Sequence, residues 1–278
     1  MKRILSILIL GFVFLAPTHP IYADTIKPIR ILIVPGHDNK VWGAQYGKIK
    51  EADMNLRLAK ELFSILNKDK RFEVFITRNS ENYTKEFADY FLNNRSSVIT
   101  FEKNAKKEQQ ASVLTGDFII KEGAPHNGVK SDIALRLYSF NKWANENNID
   151  AMIHIHFNDY PRKHSRTIGK YTGFTVYMPD AQRPNGPESI KLAQSIFTQL
   201  KQKYTPSTFP KENGGLISDQ KLIALGANGT LNASVLSVLN EYGYIYEKKF
   251  RYSKTRHQAY KDMATLTVNG IKDYFFVK

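Results

Sequence analysis

The sequence predicts a single α/β domain: a largely parallel, twisted sheet of about five or six strands with helices on both faces. Apolar runs of strand length alternate with helical patterns over most of the 278 residues, as chains of strand–helix–strand units do. Several runs are apolar nearly throughout, as strands covered on both faces must be. No repeat and no linker rich in Pro, Gly or Ser marks off a second domain.

Residues 1–23 stand apart. Met1-Lys-Arg opens an apolar run to Ala16, followed by Pro17, Pro20 and the small Ala23, the pattern of a secretory signal peptide with cleavage expected after Ala23. The run is too short, and too soon followed by prolines, for a membrane span. The region has no cysteine to take a lipid, so no stable membrane anchor is expected. The domain then occupies 24–278, exported to the periplasm or the exterior. With no cysteine anywhere, it must be held by core packing, for which about 255 residues suffice.

The elements follow in order. Ile29–Val34 reads as a strand, and Glu51–Leu66 as a helix with Met54, Leu58, Leu62 and Leu66 on one face. Phe72–Thr77 is the second strand. Asn79–Lys130 is a long, polar insertion with a short helix around Phe87–Asn94 and little periodicity after it, either a lid or binding loop or a mere excursion. His126, in Ala124-Pro-His-Asn-Gly128, is taken as a turn histidine. A helix over Asp132–Asn145 presents Ile133, Leu137, Phe140 and Ala144. Strands follow at Ala151–Phe157 and Tyr171–Met178, a helix at Glu188–Lys203, a strand at Ala233–Asn240, and a last helix from about His257 to Phe275.

The formal charge of +14 falls to +12 when Lys2 and Arg3 leave with the signal. An exported chain so basic meets anionic cell wall or lipid first. No nucleic-acid partner is expected, because no aromatic-basic motif and no zinc-finger spacing occurs.

Four stretches carry chemistry. His37 follows the first strand and Glu51 opens the first helix, which would bring both to the carboxyl edge of the sheet, where open α/β folds bind ligands. His154 and His156 lie two apart on a strand and so share a face. Glu241 ends an apolar strand, where a carboxylate must be solvated, paired or functional. Two histidines and a carboxylate form a usual ligand set of catalytic zinc, and a further carboxylate would act as base, which points to amide or ester hydrolysis.

The order of these pieces resembles the zinc-dependent N-acetylmuramoyl-L-alanine amidases of the bacterial cell-separation type. The resemblance covers nearly the whole of 24–278. It rests on Val34-Pro-Gly-His37, on Glu51 with Asn55-Leu56, on Thr77-Arg78, and on Arg136 to Asn141. Ile155-His156-Phe-Asn158, Gly173 to Tyr177, and Glu241-Tyr-Gly243-Tyr-Ile245 complete it. It implies one zinc ion held by His37, Glu51 and His156, with Glu241 as catalytic base. The implied substrate is peptidoglycan or a muropeptide, cut between N-acetylmuramic acid and L-alanine.

The chain departs from the family pattern in places. His154 stands where the family commonly has Ser, and packing under the sheet is the expectation for it. Asp38 to Lys50 is unlike the family's loop, and Asn240 replaces an apolar residue. The 79–130 insertion is longer than the family's, and in relatives an inserted helix near this edge blocks the metal until an activator protein displaces it. A non-catalytic wall-binding or regulatory protein of the same fold, and a zinc carboxypeptidase, stay open as other readings.

Overall fold

The computed structural model describes residues 27–126, 128 and 130–277. The expected signal peptide at 1–23 lies outside the described residues. The chain runs β1 (Ile29–Pro35), β2 (Gln45–Tyr46), β3 (Ile49–Lys50), α1 (Glu51–Leu66), β4 (Phe72–Ile76), α2 (Lys85–Asn93), α3 (Arg95–Thr115) and α4 (Ser131–Glu146). It continues through β5 (Ala151–Asn158), β6 (Thr175–Pro179), α5 (Gly186–Lys201), β7 (Leu216–Asp219), β8 (Leu236–Tyr244), α6 (Lys248–Arg251) and α7 (Ser253–Phe276). Among the described residues, no helix is long and apolar enough to cross a membrane.

Six strands form one sheet in the order β4-β1-β5-β8-β6-β7. The first four are mutually parallel. β6 runs antiparallel to β8, and β7 parallel to β6. Alternate residues of β1 serve opposite faces. Ile31 and Ile33 pack with Met54, Leu58 and Leu62 of α1 and with apolar residues of α5 and α7. Leu32 and Val34 pack with Phe87 of α2 and with Phe140 and Trp143 of α4. Both faces of the central strands are therefore dry, which is why these runs show no polar alternation.

From β1 the chain crosses outward to β4 and then returns past β1 to β5 on its other side. The order reverses between β1 and β5, and the crevice beyond their carboxyl ends is where open α/β sheets bind ligands.

Several expectations change. The stretch after residue 94 is not aperiodic loop but the 21-residue helix α3, in which only Val98 and Ala105 are buried. So narrow a contact stripe leaves a surface helix without a readable apolar face. β8 does not stop at Asn240 but continues to Tyr244, so Glu241 lies within the strand rather than at its end. β6 starts at Thr175 rather than Tyr171, because Gly173 just before it takes a positive φ of 97°. Neither the short edge strand β7 nor the β2–β3 hairpin in the Asp38 to Lys50 loop was expected.

Candidate metal centre

The centre begins with a backbone turn. β1 ends at Pro35, the Gly36 N–H donates to the Ile155 carbonyl at 2.9 Å, and His37 takes a left-handed φ of 60°. That conformation is uncommon for a residue with a Cβ. It turns the His37 ring toward β5, and the His37 and His156 rings meet edge to face with centroids 5.2 Å apart.

Glu51, 4 % exposed, lies between them. Its Oε2 stands 3.2 Å from His37 Nε2 and its Oε1 stands 3.0 Å from His156 Nδ1. The carboxylate is also oriented by the protein, since the Ala44 N–H donates to Oε2 at 2.8 Å and the Phe157 N–H to Oε1 at 3.3 Å. Burial works against ionisation of Glu51, but the hydrogen bonds and charges of His156 and His37 outweigh it and hold the carboxyl well below the ordinary range.

One ligand atom from each of His37, Glu51 and His156 lies within 4.8 Å of the others, so the three could hold a metal ion. The donor set, two imidazoles and a carboxylate, suits zinc with a coordination position left over. Glycines leave room for the three side chains. A Cβ on Gly36 would fall 2.1 Å from the His156 ring, and one on Gly43 2.3 Å from Glu51 Oε2 and 2.5 Å from the His37 ring.

Glu241 pairs in register with His156 across the β5–β8 ladder, and both side chains line one cavity of about 610 Å³. Burial, and after it the negative charges of Glu51 and Glu212, push the Glu241 carboxyl well above its ordinary value.

The family model for N-acetylmuramoyl-L-alanine amidase matches residues 31–273. The chain belongs to this family. The matched span runs from β1 into α7 and contains all four residues named for the site. No curated protein sequence matches this one. Among solved structures the fold is similar to the CwlD amidase of Clostridioides difficile, determined in complex with the GerS lipoprotein. That likeness has 18 % identity, covers 90 % of this chain and 100 % of that one, and has a TM-score of 0.59. It is also similar to the apo N-acetylmuramyl-L-alanine amidase of Mycobacterium abscessus, at 17 % identity, 88 % and 98 % coverage and a TM-score of 0.55.

Other residues of the amidase motifs hold the centre from behind. The Asn55 amide donates to the Gly36 carbonyl at 2.9 Å and stands 3.4 Å from Glu51 Oε1. Arg78, 1 % exposed, donates to the Ala52 carbonyl at 2.7 Å. Arg136 lies over the rings of Tyr83 and Phe91 on the wall of a second cavity, of about 380 Å³. Asn141 donates to the Ile223 carbonyl and to Thr230 Oγ1 at 2.8 and 2.9 Å, tying α4 to the loop before β8.

His154 is not part of the metal group. It is buried in the sheet as expected, and burial, reinforced by His156, pushes its imidazole down to about 3, so it stays neutral.

Two features escaped the sequence. Glu212, in a polar stretch without periodicity, is a buried hub that accepts from Asn158, Thr175, Tyr177, Ser207 and Tyr244. His126 is not a plain turn histidine, because its Nε2 lies 2.6 Å from Asp219 Oδ2. Only Pro125 beside it hinted at a fixed backbone, and nothing in the sequence pointed to Asp219, 93 residues away.

Proposed function

We propose that this protein is an exported, zinc-dependent N-acetylmuramoyl-L-alanine amidase that cuts the amide between the lactyl group of N-acetylmuramic acid and the L-alanine of the stem peptide. The observation that carries the reading is the convergence of His37, Glu51 and His156, with Glu241 in register beside His156 on one cavity wall. His37, Glu51 and His156 would hold the ion. When bound, zinc supplies a water of lowered pKa and polarises the scissile carbonyl.

Glu241 takes the proton of the attacking water and returns it to the alanine nitrogen as the C–N bond breaks. The water oxygen ends on the lactyl carbon as a carboxylate, and the stem peptide leaves with a free amine. Burial beside other carboxylates raises the proton affinity of Glu241, as a group that carries a proton between two atoms requires.

Export is supported by the sequence of residues 1–23 and wall contact by the remaining charge of +12. An activator protein belongs to the same reading, supported by the structurally similar CwlD amidase, which is bound to the GerS lipoprotein.

The deciding experiment digests muropeptides with the mature protein, beginning at Asp24, and weighs the products. The expected result is one zinc per chain, release of stem peptide with free L-alanine amine, loss of turnover with a chelator and its return with zinc. Glu241→Gln should keep the metal and lose roughly 100-fold or more in kcat. Release of a terminal amino acid instead would make the protein a carboxypeptidase. Binding to sacculi that persists in Glu241→Gln, with no product from the wild type, would make it a wall-binding protein.

A further inference from the structure

His126 takes no part in the metal group, yet the fold holds it firmly. It follows Ala124, which is buried against Tyr177, Ile217 and Leu239 at the β6–β7 edge. Its ring stands edge-on to Tyr177 with centroids 5.8 Å apart. Its Nε2 meets Asp219 Oδ2 at 2.6 Å. Asp219 is itself 4 % exposed, and its Oδ1 is already occupied by the N–H groups of Lys221 and Leu222, each at 2.7 Å.

A buried carboxylate with one oxygen saturated by backbone donors needs a donor for the other. The imidazole Nε2–H is that donor. In the neutral form this bond sets the ring in the Nε2–H tautomer, and Nδ1 is left as an acceptor.

The place of the ring gives that acceptor a use. The cavities of about 380 and 610 Å³ meet at four residues that border both: His126, His156, Leu222 and Leu239. The first is lined by apolar side chains such as Val34, Leu137 and Phe140, with Arg136 among them. The second is lined by Asn158, Glu212 and Glu241. A substrate that fills both cavities crosses the junction that His126 and His156 border.

We propose that His126, held by Asp219, is a substrate-binding residue: its Nδ1 accepts a hydrogen bond from an amide N–H of the substrate at this junction. The inference rests on the amidase reading for the substrate class, an N-acylated sugar joined to a peptide, which is rich in such N–H groups. Asp219 is a positioning residue that acts through His126.

The test uses the zinc-loaded protein and a muropeptide. His126→Gln is the informative variant, because the glutamine amide reaches the place of Nε2 and keeps the bond to Asp219 while nothing replaces Nδ1. It should lose roughly 10-fold in kcat/KM, about the value of one hydrogen bond in a binding site, with zinc content and thermal midpoint unchanged. Muropeptide affinity, measured in Glu241→Gln so that nothing is cleaved, should fall by a similar factor when His126→Gln is added. Nitrogen-15 spectra of histidine-labelled protein should show His126 protonated at Nε2, and Asp219→Asn should abolish that preference and lower kcat/KM.

Unchanged kcat/KM and affinity in His126→Gln would overturn the proposal, as would a His126 protonated at Nδ1 in the wild type. If the wild type binds muropeptide without cleaving it, the amidase reading falls, and the affinity comparison still decides the role of His126. If it binds no muropeptide, both fall.

Discussion

Asn55 donates its side-chain amide to the carbonyl of Gly36 at 2.9 Å, joining the first turns of α1 to the end of β1. Gly36 precedes His37, whose left-handed turn needs a fixed neighbour, and Asn55 lies one turn beyond Glu51 on the same helix. One side chain thus sets the spacing of two proposed metal ligands. Asn55→Ala should weaken zinc binding roughly 10- to 100-fold, as loss of a group supporting the ligands does. Competition with a chelator of known affinity measures this, and an unchanged zinc affinity would show that the link is not needed.

Gly36→Ala tests the space behind His156. The added Cβ would lie 2.1 Å from His156 Cε1 and 2.2 Å from Nε2, so the ring must leave its place. Zinc stoichiometry should fall well below one per chain. Gly128→Ala, whose Cβ would meet nothing within 4 Å, should bind zinc as the wild type does.

Glu212 tests the floor of the larger cavity. Its carboxylate accepts from Asn158 at 2.6 Å, Thr175 at 2.9 Å, Tyr177 at 3.0 Å and Tyr244 at 3.1 Å, and from Ser207. Glu212→Ala strands several buried donors together and should cost about 3 kcal/mol or more in urea unfolding. Glu212→Gln keeps one acceptor oxygen and should cost less.

Asp180 gives a pH dependence with a definite sign. Burial favours its neutral form, but hydrogen bonds from the Gln182 backbone and side chain and from Lys121 bring its carboxyl down to about 2. The folded protein therefore binds fewer protons there than the unfolded chain, whose Asp titrates near ~3.9. The stabilisation is complete above that value and is lost as pH falls toward 2. Urea unfolding between pH 6 and pH 2 should show a shallower acid-side loss for Asp180→Asn than for the wild type. Equal slopes would mean that the bond of Asp180 to Lys121, which anchors the segment leading to His126, adds nothing.

The parts of this protein that are periodic and buried were legible in the sequence. β1, β5 and the helices α1, α4, α5 and α7 announce themselves because their core faces are wide and apolar. Glu51 was legible for the same reason, since it shares the inward face of Met54 and Leu58. α3 was not, because its two buried residues make no stripe. β7 was not, because four residues at an edge carry too little pattern.

What the sequence determined by itself was the α/β class, the strand and helix that bring His37 and Glu51 to the site, and the strand that carries His156. Those follow from local periodicity, which depends only on neighbours in the chain. The tertiary structure alone decided that β6 reverses against β8 and that Glu241 sits inside a strand beside His156. It also decided that Glu212 gathers five donors and that Asp219 reaches back 93 residues to His126. These are contacts between distant segments, set by how the packed sheet brings their ends together, and no local pattern encodes them.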